Sequence, residues 1–76
     1  MKPNLAFLAK VRAGEVRRVS GYKKKTGGYT KFIGGEMTAQ KHADAGYIVM
    51  PGYAGLGRPS RAALTDLGIS ALAGVK

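Results

Sequence analysis

Arg17, Arg18, Lys23, Lys24, Lys25 and Lys31 lie in a segment with no acidic residue between Val16 and Gly35. Six like charges on one short stretch repel one another, so an isolated fold gains nothing from them. A polyanion removes that repulsion and releases its own counterions. Affinity would then fall with salt by about 0.9 log units per log unit for each phosphate neutralised on duplex DNA. A solvated edge strand kept from aggregating by its lysines has the same composition, and this alternative stays open.

Other candidates are weaker. Arg58 and Arg61 flank Pro59 in a glycine-rich loop that could reach a minor groove or a phosphate backbone, although an ordinary hairpin loop with two solvated arginines reads the same way. Thr38, Gln40 and Lys41 fall on the polar side of a short helix. There glutamine is able to pair with adenine and lysine with guanine, as on any helix with a polar outer face. Among the tyrosines, Tyr22 and Tyr53 are placed in loops where they could stack on bases, whereas Tyr29 and Tyr47 suit the core-facing edge of strands. His42, the single histidine, has no carboxylate or thiol at ligand spacing and is expected to be a half-buried packing residue.

Catalytic chemistry is not expected. The four acids, Glu15, Glu36, Asp44 and Asp66, fit helix ends or surface positions and form no recognisable acid/base pair. Neither Gly34-Gly35 nor Gly55-x-Gly57 is followed by the Lys-Ser/Thr of a phosphate-binding loop. With no cysteine there is no disulfide framework and no thiolate nucleophile or ligand, so the reading is a non-enzyme without metal or cofactor in a reducing, cytoplasmic setting.

The elements that must position these residues follow from local signals. Leu5, Leu8 and Val11 with Phe7 give one buried stripe for a helix over residues 4–13, capped by Asn4 and stopped by Gly14. Residues 15–20 and 29–33 read as strands around a loop at 21–28 with a mobile tip. Residues 36–45 read as a helix stopped by Gly46, with Ala39, His42 and Ala43 inward. Residues 47–50 and 61–64 then form a strand pair across a Gly/Pro loop. Thr65 caps a last helix over residues 66–73, in which Gly68 allows close approach to a neighbour.

The 76 residues allow one domain with a small core, of a size at which stability is marginal without disulfides or metal. The formal net charge is +9 and the pI about 10.3, as expected of a phosphate-binding surface. No apolar run approaches the roughly 18 residues of a membrane-spanning helix, and no export signal is recognisable.

Leu64, Thr65, Gly68 and Leu72 match the Leu-Thr-x-x-Gly-x-x-x-Leu of the last strand and helix in small winged-helix proteins. Ala45-Gly46-Tyr47-Ile48 resembles the exit from the recognition helix into the first wing strand of that family. The chain is most similar to the short forms encoded by phages and high-GC bacteria. It departs from the pattern in having a basic hairpin where the family places another helix, and His42 where an aliphatic residue is usual.

The resemblance implies an α+β, winged-helix-like domain over residues 1–76, in the order α-β-β-α-β-β-α, with a basic hairpin and a C-terminal wing. It implies duplex DNA binding, sequence-nonspecific or weakly specific, by a transcription regulator or a recombination or architectural factor. A single module buries only about 600–1,000 Å², so homodimers or adjacent copies on DNA are expected. The alternative is a phage-encoded protein-interaction module that binds and inhibits a host protein, using an apolar patch at Met50, Tyr53 and Leu56. RNA is a third candidate partner.

Overall fold

The structure is a computed structural model that describes residues 2–52 and 60–74. The described residues form three helices and two small antiparallel sheets, in the order α1 (Leu5–Arg12), β1 (Arg17–Lys23), β2 (Gly27–Ile33), α2 (Glu36–Asp44), β3 (Ile48–Val49), β4 (Ser60–Arg61), β5 (Ala63–Leu64) and α3 (Asp66–Ala73).

Each helix begins or ends where the sequence signals it. Asn4 Oδ1 accepts from Phe7 N at 3.1 Å and so satisfies one free amide of the first turn of α1. α1 and α2 end alike. Glu15 N donates to Lys10 O and Gly14 N to Val11 O, while Tyr47 N donates to His42 O and Gly46 N to Ala43 O. Both are Schellman closures, which require a left-handed residue; Gly14 and Gly46 supply it at φ 79° and 89°. Thr65 Oγ1 accepts from Gly68 N at 3.2 Å and donates to Gly46 O at 2.6 Å, so one hydroxyl both caps α3 and ties it to the end of α2.

The core is small: Phe7, Leu8 and Val11 from α1, with Val16, Ala39, Ile48 and Ala62, edged by Phe32, Tyr47, Leu64 and Leu72. His42 belongs to it and is more deeply buried than a half-buried packing residue, at 3% relative exposure. Its ring lies 4.7 Å from that of Phe7. Nδ1 is 2.8 Å from Thr38 O, and Asn4 N donates to Nε2 at 3.0 Å. A carbonyl only accepts, so Nδ1 donates to Thr38 O while Nε2 accepts from Asn4 N, and both ring nitrogens are paired. His42 thereby fastens the start of α1 to α2.

Two strand expectations are corrected. Residues 61–64 do not form one strand: Ser60 and Arg61 pair with Arg18 and Arg17, whereas Ala63 and Leu64 pair with Val49 and Ile48. The chain changes sheets at buried Ala62, whose N–H donates to Val16 O at 2.9 Å. Nor is 21–28 a loop. The β1–β2 ladder runs on to Lys23↔Gly27, leaving only residues 24–26 as the turn. Gly21 and Gly28 belong to the strands because each faces a tyrosine, Tyr29 and Tyr22 respectively, while Gly27 stands opposite Lys23 at the start of β2. The Tyr29 ring packs over Gly21 so closely that a Cβ there would overlap it, a pairing in which the aromatic covers the backbone that glycine leaves bare.

The resulting hairpin projects from the body. From Val19 outward β1 and β2 pair only with each other. The longest dimension is 51 Å against 19 and 17 Å, and the radius of gyration is 13.7 Å, where a compact domain of this length has about 11 Å.

Candidate nucleic-acid interface

The ladder register sorts the cations of the hairpin. Side chains alternate across a strand, so Arg17, Val19, Gly21 and Lys23 share one face with their partners Ile33, Lys31, Tyr29 and Gly27. Arg17, Lys31 and Lys23 therefore follow one another along that face, with Tyr29 between the last two. The two-residue step of about 6.6 Å is close to two base-pair rises of about 3.4 Å. Lys23 Nζ lies 5.4 Å from the centre of the Tyr29 ring. Lys24 and Lys25 occupy the exposed turn.

The opposite face carries Arg18, Ser20 and Tyr22 with Phe32, Thr30 and Gly28. Ser20 Oγ and Thr30 Oγ1 are 3.4 Å apart. Arg18 sits over the Phe32 ring at 5.8 Å, and its Nη2 is 3.8 Å from Glu36 Oε2. This half-exposed pair adds little to stability; it joins the base of the hairpin to the first residue of α2. Tyr22, well exposed, stays open for stacking. Tyr29 is not the core-edge residue expected of it: it stands on the cationic face of the hairpin and is 42% exposed.

On α2, Thr38, Gln40 and Lys41 are exposed as expected. Their chemistry is already partly engaged. Gln40 Nε2 donates to Asp44 Oδ1 at 2.9 Å, and the helix carries Glu36 and Asp44 against Lys41, so it has no electrostatic pull of its own towards phosphates. Arg58, Tyr53 and Leu56 lie outside the described residues. Met50 packs against the core rather than forming an exposed patch.

Arg61 is not part of a separate wing tip. It lies in β4, directly opposite Arg17, and its side chain runs past Gly14, with Nε 3.5 Å from where a Cβ on that residue would stand. The site thus joins the base of the hairpin to the end of α1, where Arg12 lines the same recess as Arg61. Sequence reasoning missed Arg12 because nothing local marks it: only the Schellman turn and the β1–β4 pairing bring it there. Among the described residues no helix is long and apolar enough to cross a membrane. No protein-family model, curated protein or solved structure matches the chain.

Proposed function

We propose that this protein is a small, winged-helix-like duplex DNA-binding protein that acts as a transcription regulator or as a recombination or architectural factor. The observation that carries this reading is the projecting two-stranded arm, which holds Arg17, Lys23, Lys24, Lys25 and Lys31 without an ion pair among the described residues. A major groove about 12 Å wide admits a two-stranded ribbon. A seven-residue strand of about 23 Å reaches along roughly seven base pairs. In this reading the arm supplies phosphate contacts, which position a protein without reading sequence, and the mixed charge on α2 favours weak specificity.

The test is binding to a labelled random-sequence duplex between about 50 and 200 mM salt, for the wild type and for Lys23→Gln, Lys24→Gln, Lys25→Gln combined. Three lost phosphate contacts lower the slope by about 2.7, so the loss of affinity across that fourfold range shrinks by about 40-fold. Equal slopes for the two proteins would refute the role of the arm. No duplex binding by the wild type at low salt would refute the DNA reading and favour the host-protein partner. Preferential competition by single-stranded RNA would move the assignment to RNA.

A further inference from the structure

A recess of about 480 Å³ opens between the end of α1 and the β4–β5 segment, lined by Val11, Arg12, Arg61, Ala62, Leu64 and Ile69 among others. Its floor is apolar, since Val11 and Ala62 belong to the core. Arg12 and Arg61 edge the recess, and Arg17 joins them from β1: its Nη1 reaches to 3.5 Å from Gly14 O, on the turn that the Arg61 side chain also passes. None of the three has an ion-pair partner among the described residues, where the one ion pair is Arg18–Glu36. Glu15, next to the turn, is exposed and pairs with none of them.

Three arginines disposed around one turn and the recess beside it, without a carboxylate partner among the described residues, repel one another in the free protein, and an anion among them lowers that energy. Guanidinium forks match phosphate oxygens in pairs, and with no carboxylate partner the only protein hydrogen bond of these three groups among the described residues is the long one from Arg17 Nη1 to Gly14 O. The apolar floor is suited to a carbon framework attached to that anion rather than to a bare ion. We infer that Arg12, Arg17 and Arg61 form a phosphate site that seats one backbone phosphodiester of duplex DNA, with its deoxyribose against the apolar floor. This rests on the DNA reading and extends it. The seat lies about 23 Å from the turn lysines along β1, so it anchors the base of the arm and sets the direction in which the arm runs along the duplex.

Ethylation interference on a duplex of fixed sequence tests the seat, alongside the salt slope. For the variant combining Arg12→Gln and Arg61→Gln, both at exposed positions, the slope falls by about 1 and the interference of one phosphate disappears. That phosphate lies roughly seven base pairs from the group protected by the turn lysines. The variant Arg12→Lys, Arg61→Lys keeps most of the slope but loses the paired fork, and should weaken that same interference. Thermal unfolding at the wild-type temperature establishes that both variants are folded.

If the wild type binds duplex, the turn-lysine variant loses slope and the arginine variants match wild type, the seat is overturned while the DNA reading stands. Titration of arginine Nε–H resonances with inorganic phosphate and with dAMP addresses the other source of the same chemistry. Saturating shifts with either, together with no shift on adding duplex, would overturn the backbone seat in favour of a free phosphate ligand. A shift of the Arg17 Nε–H with duplex that vanishes in the Arg12→Gln, Arg61→Gln variant supports it.

Discussion

Replacing Gly68 by alanine sets two effects against each other in the first turn of α3. In a helix interior alanine is favoured over glycine by at most about 1 kcal/mol. A Cβ at this position, however, would overlap the carbonyl oxygen of Tyr47 and stand 3.2 Å from both Tyr47 C and Leu64 Cδ2. The obstruction is backbone, and that backbone is held. Tyr47 O accepts from Thr65 N at 3.1 Å and Tyr47 N donates to His42 O at 2.9 Å, while Thr65 Oγ1 donates to Gly46 O at 2.6 Å. Relief requires α3 to lift from the end of α2, at the upper part of the roughly 1–3 kcal/mol range for overpacking. The net expectation is a loss of about 1–2 kcal/mol, or a melting temperature lower by about 5–15 °C in a domain of this size. Thermal unfolding followed by circular dichroism measures it. Ser70→Ala, at an exposed position of the same helix, is the control and should leave the melting temperature level or raise it slightly. A rise for Gly68→Ala matching that control would refute the close approach.

Two further perturbations probe the body and the arm separately. His42→Leu removes the acceptor of Asn4 N and the donor to Thr38 O. Thr38 O keeps its bond within α2, so the substitution should lower stability by about 1–3 kcal/mol through the unpaired Asn4 N–H, as read by urea unfolding; an unchanged midpoint would contradict the role of His42 as the fastening between α1 and α2. Replacing residues 21–29 by an Asn-Gly turn between the paired residues Ser20 and Thr30 should shift the melting temperature by no more than about 5 °C, roughly 1 kcal/mol, while weakening duplex binding sharply. A larger drop would mean that the arm supports the body.

The parts of the fold that were legible in the sequence are those whose cause is local. Asn4 and Thr65 cap, and Gly14 and Gly46 stop, because the orphan groups of a helix end lie within one turn of them. Gly68 was legible because glycine in an otherwise apolar helix has few reasons to be there. Gly21 and Gly28 were misread because their role depends on Tyr29 and Tyr22 across the ladder; taken singly, a glycine in a lysine-rich stretch marks a loop. The division at Ala62 was hidden because two paired residues on either side leave no period to detect. The arm cations were legible from charge alone, whereas their division between faces needed the register. The convergence of Arg12, Arg17 and Arg61 is a tertiary event with no linear trace.

Ala62 has a consequence for how the molecule opens. Its amide bonds to Val16, prolonging the β1–β4 ladder into the core at the point where the chain passes to β5 of the other sheet, so releasing that amide requires β4 to part from β1 beside buried Val16. Amides in the outer arm open by local fraying, which is independent of the body. Hydrogen exchange should therefore resolve two populations, with the Ala62 amide exchanging only through whole-body opening. A ligand held solely by the turn lysines would slow the first population alone, and one held by those lysines and also seated among the three arginines would slow both. A single amide then records whether an event at the arm reaches the core.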